Sequence, residues 1–113
     1  TGLPLHDIRS VSEPEIDGLQ LNAGDWVLVK KPDGTPYAWT NADGVTLHRE
    51  GKSLYDSTIA GGSLFRPDDS LRQALDAALS SPSGLGVAVD GEGQPIGGVL
   101  ADDVIEALKK QRG

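Results

Sequence analysis

Residues 33–45, with the sequence DGTPYAWTNADGV, align without a gap with residues 92–104, EGQPIGGVLADDV. Gly, Pro, Ala, Asp and Val recur at matching places, and an acidic residue opens both copies. Each copy follows a short apolar run, so each predicts a strand, a tight turn, a second strand and an acidic helix start. The repeat therefore predicts two similar units packed against each other, with a ligand-binding cleft between them.

Composition excludes several classes of function. The chain has 113 residues and a net charge of −7, and a polyanion such as DNA or RNA would be repelled by that field. It has no Cys, which rules out disulfides, thiolate metal sites and a Cys nucleophile. No apolar run approaches the roughly 20 residues that cross a bilayer. Because the sequence begins Thr-Gly and contains no Met, we expect either a processed chain or, in preference, a fragment of a longer protein.

The second half, residues 63–113, predicts a complete β-α-β-β-α unit. A short strand at residues 63–66 ends at Pro67, and Ser70 with two preceding Asp residues supplies helix-capping chemistry. A buried strand at residues 85–90, a Gly-rich turn and a return strand at residues 95–100 follow. Asp102 and Asp103 open the last helix. The expected apolar helix faces are Leu71, Ala74, Leu75, Ala78 and Leu79, and then Val104, Ile105 and Leu108.

The first half, residues 1–46, predicts a shortened copy of this unit. A strand at residues 8–11 is followed by a helix start at residues 12–15, where Pro14 suits the first turn. Gly18 and the stretch 22–24 leave room for only a short helix before the hairpin at residues 26–40. Residues 47–62 are polar and rich in Gly and Ser, and we predict that they form a linker between the units.

Residues 64–110 resemble a CBS domain, the cystathionine-β-synthase type of regulatory module. The resemblance rests on LRQAL at 71–75 after its acidic cap, GVAVD at 86–90 and IGGVL at 96–100 before an acidic helix. CBS domains occur in tandem, and residues 26–45 look like the matching part of a shortened first copy. The resemblance implies an α+β fold, a CBS pair or Bateman module of two pseudo-symmetric β-α-β-β-α units.

A finer resemblance concerns the parent protein. DWVLV at 25–29, the Asp-Gly turn at 33–34 and YAW at 37–39 are similar to the CBS tail of ABC transporter ATP-binding subunits that import glycine betaine, choline, carnitine or proline. This implies a regulatory, non-catalytic module attached to an ABC-type ATPase domain of the same chain, on the cytoplasmic side of the cell membrane. It would modulate transport in response to ionic strength or a nucleotide, and it would form a homodimer.

Two other functions stay open. The chain could belong to a CBS module that senses an adenine nucleotide or a cyclic dinucleotide and is attached to another enzyme or transporter. A stand-alone enzyme ranks last, because the sequence contains no phosphate-binding loop and no visible nucleophile–base pair.

The resemblance also implies where a nucleotide would bind. In CBS pairs the third strand ends with Gly, two apolar residues and Ser or Thr, and an Asp follows three residues later. The hydroxyl and the carboxylate grip the ribose of an adenosine compound. Here the second copy places Leu100 at the hydroxyl position and Asp103 at the carboxylate position. Half of the polar pair is therefore missing.

The first copy also keeps only half of the pair. The repeat alignment places Asn41 at the hydroxyl position and Gly44 at the carboxylate position, whereas a literal Thr-x-x-Asp lies one residue earlier, at Thr40 and Asp43. A slip of one residue turns strand side chains to the opposite face. Helix capping alone accounts for polar residues at such turns. We favour that interpretation, and expect weak or absent binding of an adenine nucleotide and no other cofactor.

The remaining candidates favour structural roles. His6 and His48 have no ligand-like spacing, so we expect exposed side chains and no metal site. Trp26 and Trp39 lie in paired strands and suit core or unit-interface positions. The basic clusters lie at residues 30–31, 49–52 and 109–112. We expect a solvated turn, linker and helix end, and the functional alternative is weak contact with an anionic membrane surface or with the ATPase domain.

Overall fold

The computed structural model describes residues 3–60 and 64–112, which form two compact units. We call residues 8–60 the N-terminal unit, and residues 64–112 together with residues 3–7 the C-terminal unit. The predicted boundary between residues 62 and 63, and the first residue of the strand predicted at 63–66, lie outside the described residues.

The N-terminal unit has the predicted order of elements as far as the start of its first α-helix. It contains β1 (Ser10–Ser12), a 3₁₀ helix (Glu13–Gly18), β2 (Val27–Lys30), β3 (Pro36–Thr40), α1 (Ala42–Arg49) and α2 (Leu54–Ser57). The sheet order is β1-β2-β3, with β1 parallel and β3 antiparallel to β2. The predicted short helix is the 3₁₀ helix, and its start is fixed by the Ser12 backbone N and Oγ, which both donate to Glu15 Oε1 at 2.9 and 2.7 Å.

One face of this sheet carries the core of the N-terminal unit. Val27 and Val29 point to it because strand side chains alternate, and Leu28, on the opposite face, pairs with Trp39. Leu28 and Trp39 are also buried, at 2% and 1% exposure. Both faces of the sheet are therefore shielded from water. The core cluster consists of Val11, Ile16, Leu19, Val27, Val29 and Val45.

The predicted linker at residues 47–62 requires correction over its described part. α1 continues to Arg49, and α2 is capped by Ser53, whose Oγ accepts a hydrogen bond from Asp56 N at 3.1 Å. Leu54 packs against the core cluster of the N-terminal unit. These residues are polar because they form short surface helices, and they belong to the unit that they follow.

The C-terminal unit repeats the same topology. It contains β4 (Leu64–Phe65), α3 (Leu71–Ser80), β5 (Leu85–Val89), β6 (Pro95–Leu100) and α4 (Ala101–Arg112). The sheet order is β4-β5-β6, with β4 parallel and β6 antiparallel to β5. The matching hairpin turns use Gly34 and Gly93 at φ values of 89° and 83°, where a side chain would be strained. The fold is thus α+β, with two β-α-β-β-α units.

The apolar face of α3 differs from the prediction at one position. Leu79 is 66% exposed, and Ala77 is buried instead. The cause is Gly86 on β5, where an added Cβ would lie 3.0 Å from Ala78 N. Helix and strand approach so closely that only small side chains fit between them, which turns Leu79 outward. The core cluster consists of Phe65, Leu71, Ala74, Ala77, Ala88, Val99 and Val104.

The third strand of each unit gains one extra antiparallel bridge. In the N-terminal unit Trp39 N donates to Ile59 O at 3.0 Å, and Ile59 N donates to Trp39 O at 2.7 Å. In the C-terminal unit His6 N donates to Gly98 O at 2.7 Å, and Gly98 N donates to His6 O at 2.8 Å. Since Trp39 and Gly98 occupy matching places in the repeat, the two bridges are equivalent.

Across the helices of the described residues, none has the length and apolar content that a membrane span requires.

Candidate functional site

The first candidate site lies where β3 runs into α1, and its polar groups already have partners. Thr40 is 1% exposed, and its Oγ1 donates to the carbonyl oxygen of Ser57 at 2.9 Å. Asn41 is the N-cap of α1, and its Oδ1 accepts a hydrogen bond from Gly44 N at 3.0 Å. Asp43 is exposed in the first helical turn, where a negative charge suits the helix dipole. The side chains of Thr40 and Asn41 are therefore both used in hydrogen bonds within the chain.

The carboxylate position of this turn has no room for a side chain. Gly44 is buried, and a Cβ added there would overlap Thr40 Oγ1 and the Ser57 carbonyl oxygen. Ser57 reaches this point because α2 precedes the Ile59 bridge to β3. The chain's own backbone thus occupies the space that a carboxylate would need.

The second candidate site lies where β6 runs into α4. Asp103 Oδ2 lies 2.9 Å from His6 Nε2, and the two side chains are 33% and 47% exposed. Leu100, at the hydroxyl position, is 41% exposed. The structure therefore brings together Asp103 and a residue that the sequence did not assign to the site. No spacing rule could have found His6, because 97 positions separate the two residues.

The glycine at position 97 of β6 is explained by the N-terminal segment. An added Cβ at Gly97 would lie 2.9 Å from Leu5 Cβ and 3.4 Å from the His6 carbonyl oxygen. Leu5 and His6 therefore cover the end of β6, and the backbone bridge to Gly98 holds them there. The same segment that delivers His6 to Asp103 also requires a residue without a side chain at position 97.

His48 corrects the expectation of two exposed histidines. Its side chain is only 15% exposed, with Nδ1 at 2.6 Å from Asp17 Oδ1 and Nε2 at 3.1 Å from Glu13 Oε2. The hydrogen bonds to Asp17 and Glu13 raise the pKa of His48 above its ordinary value. A neutral imidazole has one N–H and cannot donate to both carboxylates, so the geometry suits the imidazolium ion. The neighbouring Arg49 reinforces the contact by donating to the backbone carbonyls of Asp17 and Leu19.

Within residues 3–60 and 64–112, no group of three or more His, Asp or Glu side chains is arranged to hold a metal ion. Trp39 is buried, and its indole Nε1 has no hydrogen-bond partner in the described part of the chain. Trp26, in contrast, is half-buried.

Comparison with solved structures agrees with this topology. Staphylococcus aureus OpuCA has 14% identity and a TM-score of 0.60, covering 94% of this chain and 96% of its own. A CBS domain pair/ACT domain protein from Thermotoga maritima has 19% identity and a TM-score of 0.63, covering 98% and 95%. Arabidopsis thaliana CBSX2 in complex with AMP has 15% identity and a TM-score of 0.53, covering 96% and 90%.

These similarities show the fold: the chain has the architecture of a CBS-domain pair. No family model matches the sequence, and neither does any curated protein.

Gly44→Ala tests whether the first turn is filled. Alanine is favoured over glycine inside a helix by about 1 kcal/mol where space is open. Here the added Cβ overlaps Thr40 and Ser57, so we expect a net loss of about 2 kcal/mol of unfolding free energy. Urea denaturation measures it. The matched control is Gly18→Ala, whose Cβ would meet no atom within 4 Å; it should change stability by less than about 0.5 kcal/mol. A Gly44→Ala variant as stable as the wild type would mean that the turn has room for a side chain.

His48→Gln tests the histidine contact through pH. Because the pKa of His48 is raised in the folded state, the stabilisation from its contacts is complete below the unfolded pKa, about 6.5. It is then lost as pH rises through the folded value. We expect the variant to lose about 1 kcal/mol at pH 5.5, because both carboxylates are half exposed, and clearly less at pH 9. Urea denaturation at both pH values measures this.

The control combines Glu13→Gln with Asp17→Asn, which removes both partners of the ring. In that background His48→Gln should cost the same at both pH values. A pH-independent loss in the otherwise unchanged chain would contradict the assigned imidazolium contacts.

Proposed function

We propose that the chain is the regulatory, non-catalytic CBS pair of an ABC importer ATP-binding subunit that serves an osmoprotectant such as glycine betaine, choline, carnitine or proline. The CBS-pair fold supports a regulatory module, and the sequence resemblance at residues 25–39 supports this class of parent. In this proposal the ATPase domain of the same chain is the principal partner, and the module lies on the cytoplasmic side of the membrane.

One observation favours ionic strength over a nucleotide as the signal. At both candidate nucleotide turns, a polar side chain already contacts another part of the chain. The Thr40 hydroxyl donates a hydrogen bond to the Ser57 carbonyl oxygen, and His6 Nε2 forms a hydrogen bond with the Asp103 carboxylate. A nucleotide would have to displace these contacts, whereas ions need no pocket. At about 0.15 M salt, exposed charges are screened beyond roughly 8 Å, and at 1 M beyond about 3 Å. A module with a net charge of −7 and few basic clusters is therefore suited to respond to ionic strength.

Assembly forms part of this proposal. Leu79 on α3 and Ile105 on α4 are 66% and 37% exposed, and α3 packs against α4 in the same unit. Exposed apolar side chains on adjacent helices suit an interface between subunits. We propose that these helices contribute to a homodimer, and that basic residues such as Lys109 and Lys110 make weak contacts with an anionic membrane surface.

A second candidate function is adenine-nucleotide or cyclic-dinucleotide sensing in another parent protein. The CBSX2 structure in complex with AMP has the same fold as this chain. The C-terminal unit keeps the carboxylate of the expected pair, at Asp103, and that residue is only part-exposed. Loss of the His6 contact would free this carboxylate for a ribose hydroxyl.

Deleting the module from the parent transporter tests the leading proposal. The reconstituted transporter should keep its maximal transport rate, because the chemistry belongs to the ATPase domain, and its dependence on ionic strength should flatten. Transport in vesicles across a salt series measures this. An unchanged salt profile after deletion would contradict a role in sensing ionic strength.

Nucleotide titration separates the two candidates. Loss of one charged hydrogen bond costs about 1.5–3 kcal/mol, or at least tenfold in affinity. We therefore expect AMP and ATP to bind the wild type with dissociation constants above about 100 μM in calorimetry. His6→Ala should strengthen binding by releasing Asp103, and adding Asp103→Asn should remove the gain. Micromolar binding to the wild type would favour the nucleotide sensor.

A further inference from the structure

A groove of about 640 Å³ lies on the N-terminal unit, away from the strand-to-helix turn. It is formed where β2 ends and β3 begins, whereas the turn lies at the other end of β3. Its volume falls within the range of roughly 300–1,000 Å³ that is typical of small-molecule sites. The groove is therefore separate from the candidate nucleotide site.

A β-bulge contributes the aromatic side chain of this groove. Leu28 pairs with Trp39 and Val29 with Ala38, but Lys30 pairs with Pro36, so Tyr37 has no partner on β2. Bulges redirect side chains and recur beside binding sites. Tyr37 is 38% exposed, and it shares the groove wall with Pro14, Pro32 and Leu54. The result is a mainly apolar surface that is open to solvent.

The polar side of the groove is cationic. Lys30 and Lys31 line it, and neither forms a salt bridge within the described ranges. The pKa of Glu15 and that of Asp33 are lowered mainly by hydrogen bonds from Ser12 and Thr35, and further by the nearby charges of Lys30 and Lys31. Glu13, which also lines the groove, contacts His48, and Glu15 is bonded to Ser12. Two ammonium groups that form no salt bridge within the described ranges therefore lie beside an apolar wall, in a chain whose net charge is −7.

The second copy of the repeat offers an internal comparison. β6 carries the same bulge, and its unpaired residue is Ile96, the counterpart of Tyr37. At the places of Lys30 and Lys31, however, the second copy has Val89 and Asp90. The bulge belongs to the shared fold, whereas the lysine pair and the aromatic ring occur in the first copy alone.

We propose that this groove binds a small organic anion with a flat apolar body. The body packs against Tyr37 and the proline rings, and a carboxylate, sulfonate or phosphate group contacts Lys30 and Lys31. This site is independent of the nucleotide question, because it shares no residue with the turns at Thr40 and Asp103.

The test uses anilinonaphthalene sulfonate, a fluorescent aromatic anion, with the intact chain. Fluorescence gives its affinity, and amide shifts in two-dimensional NMR locate it. We expect shifts of the amides of Ser12, Glu13, Lys30, Lys31, Tyr37 and Leu54. Lys30→Gln with Lys31→Gln should weaken binding about fivefold or more, since two charge contacts are lost. Lys109→Gln with Lys110→Gln, an equal change of charge on the exposed end of α4, should leave binding unchanged.

A matched pair of tyrosine variants tests the aromatic wall of the groove. Tyr37→Ser should weaken binding about fivefold, whereas Tyr55→Ser, a 79% exposed tyrosine outside this groove, should not. Dispersed amide spectra confirm that each variant is folded. Equal loss in the control variants, or shifts confined to other surfaces, would overturn the proposal. A third result would also overturn it: the chain sediments with anionic vesicles in a manner that requires Lys30 and Lys31, but it does not bind the dye. That result would assign these lysines to a membrane surface.

Discussion

The structure depends on one repeated constraint, the antiparallel bridge at the edge of the third strand in each unit. Ile59 forms it with Trp39, and His6 forms it with Gly98, through two backbone hydrogen bonds in each case. An edge strand with free N–H and C=O groups would otherwise be open to solvent or to another chain. The bridge satisfies those groups, and it also fixes the segment that carries it beside the strand-to-helix turn.

The two strand-to-helix turns differ because their bridging segments differ. In the N-terminal unit the residues before the bridge form α2, and the Ser57 carbonyl accepts the Thr40 hydrogen bond and excludes a side chain at position 44. In the C-terminal unit the segment contributes the His6 ring, which contacts Asp103. The first turn is thus closed by backbone, whereas the second is closed by a part-exposed side chain. Among the described residues, the contact that a ligand must break at Asp103 is the one with His6.

The elements with local causes could be predicted from sequence. The hairpins followed from Gly and Pro at matching places, α3 from its Ser70 cap, and the short N-terminal helix from Ser12, Pro14 and Gly18. The errors have non-local causes. Leu79 faces solvent because Gly86 lets α3 approach β5 too closely for a leucine. α2 was predicted as linker because four helical residues carry little periodic signal.

The candidate site was predicted less completely for the same reason. The sequence placed Thr40, Asn41, Asp43, Leu100 and Asp103 at the two turns, and local capping rules accounted for Asn41. The partners of Thr40 and Asp103 arrive from 17 and 97 positions away, and no local pattern specifies such pairs. His48 likewise meets Asp17 and Glu13 over more than 30 positions. A residue's availability for a ligand thus depended on contacts that only the tertiary structure shows.

The closure of both turns by bridging segments is tested most directly by native-state amide hydrogen exchange. Amides that are bonded in a stable structure exchange only through opening, so their protection reports the bridge itself. We expect the amides of His6, Trp39, Ile59 and Gly98 to exchange as slowly as those of the neighbouring strands. Exchange of the His6 and Ile59 amides at the rate of an unstructured chain, with β3 and β6 still protected, would contradict this closure.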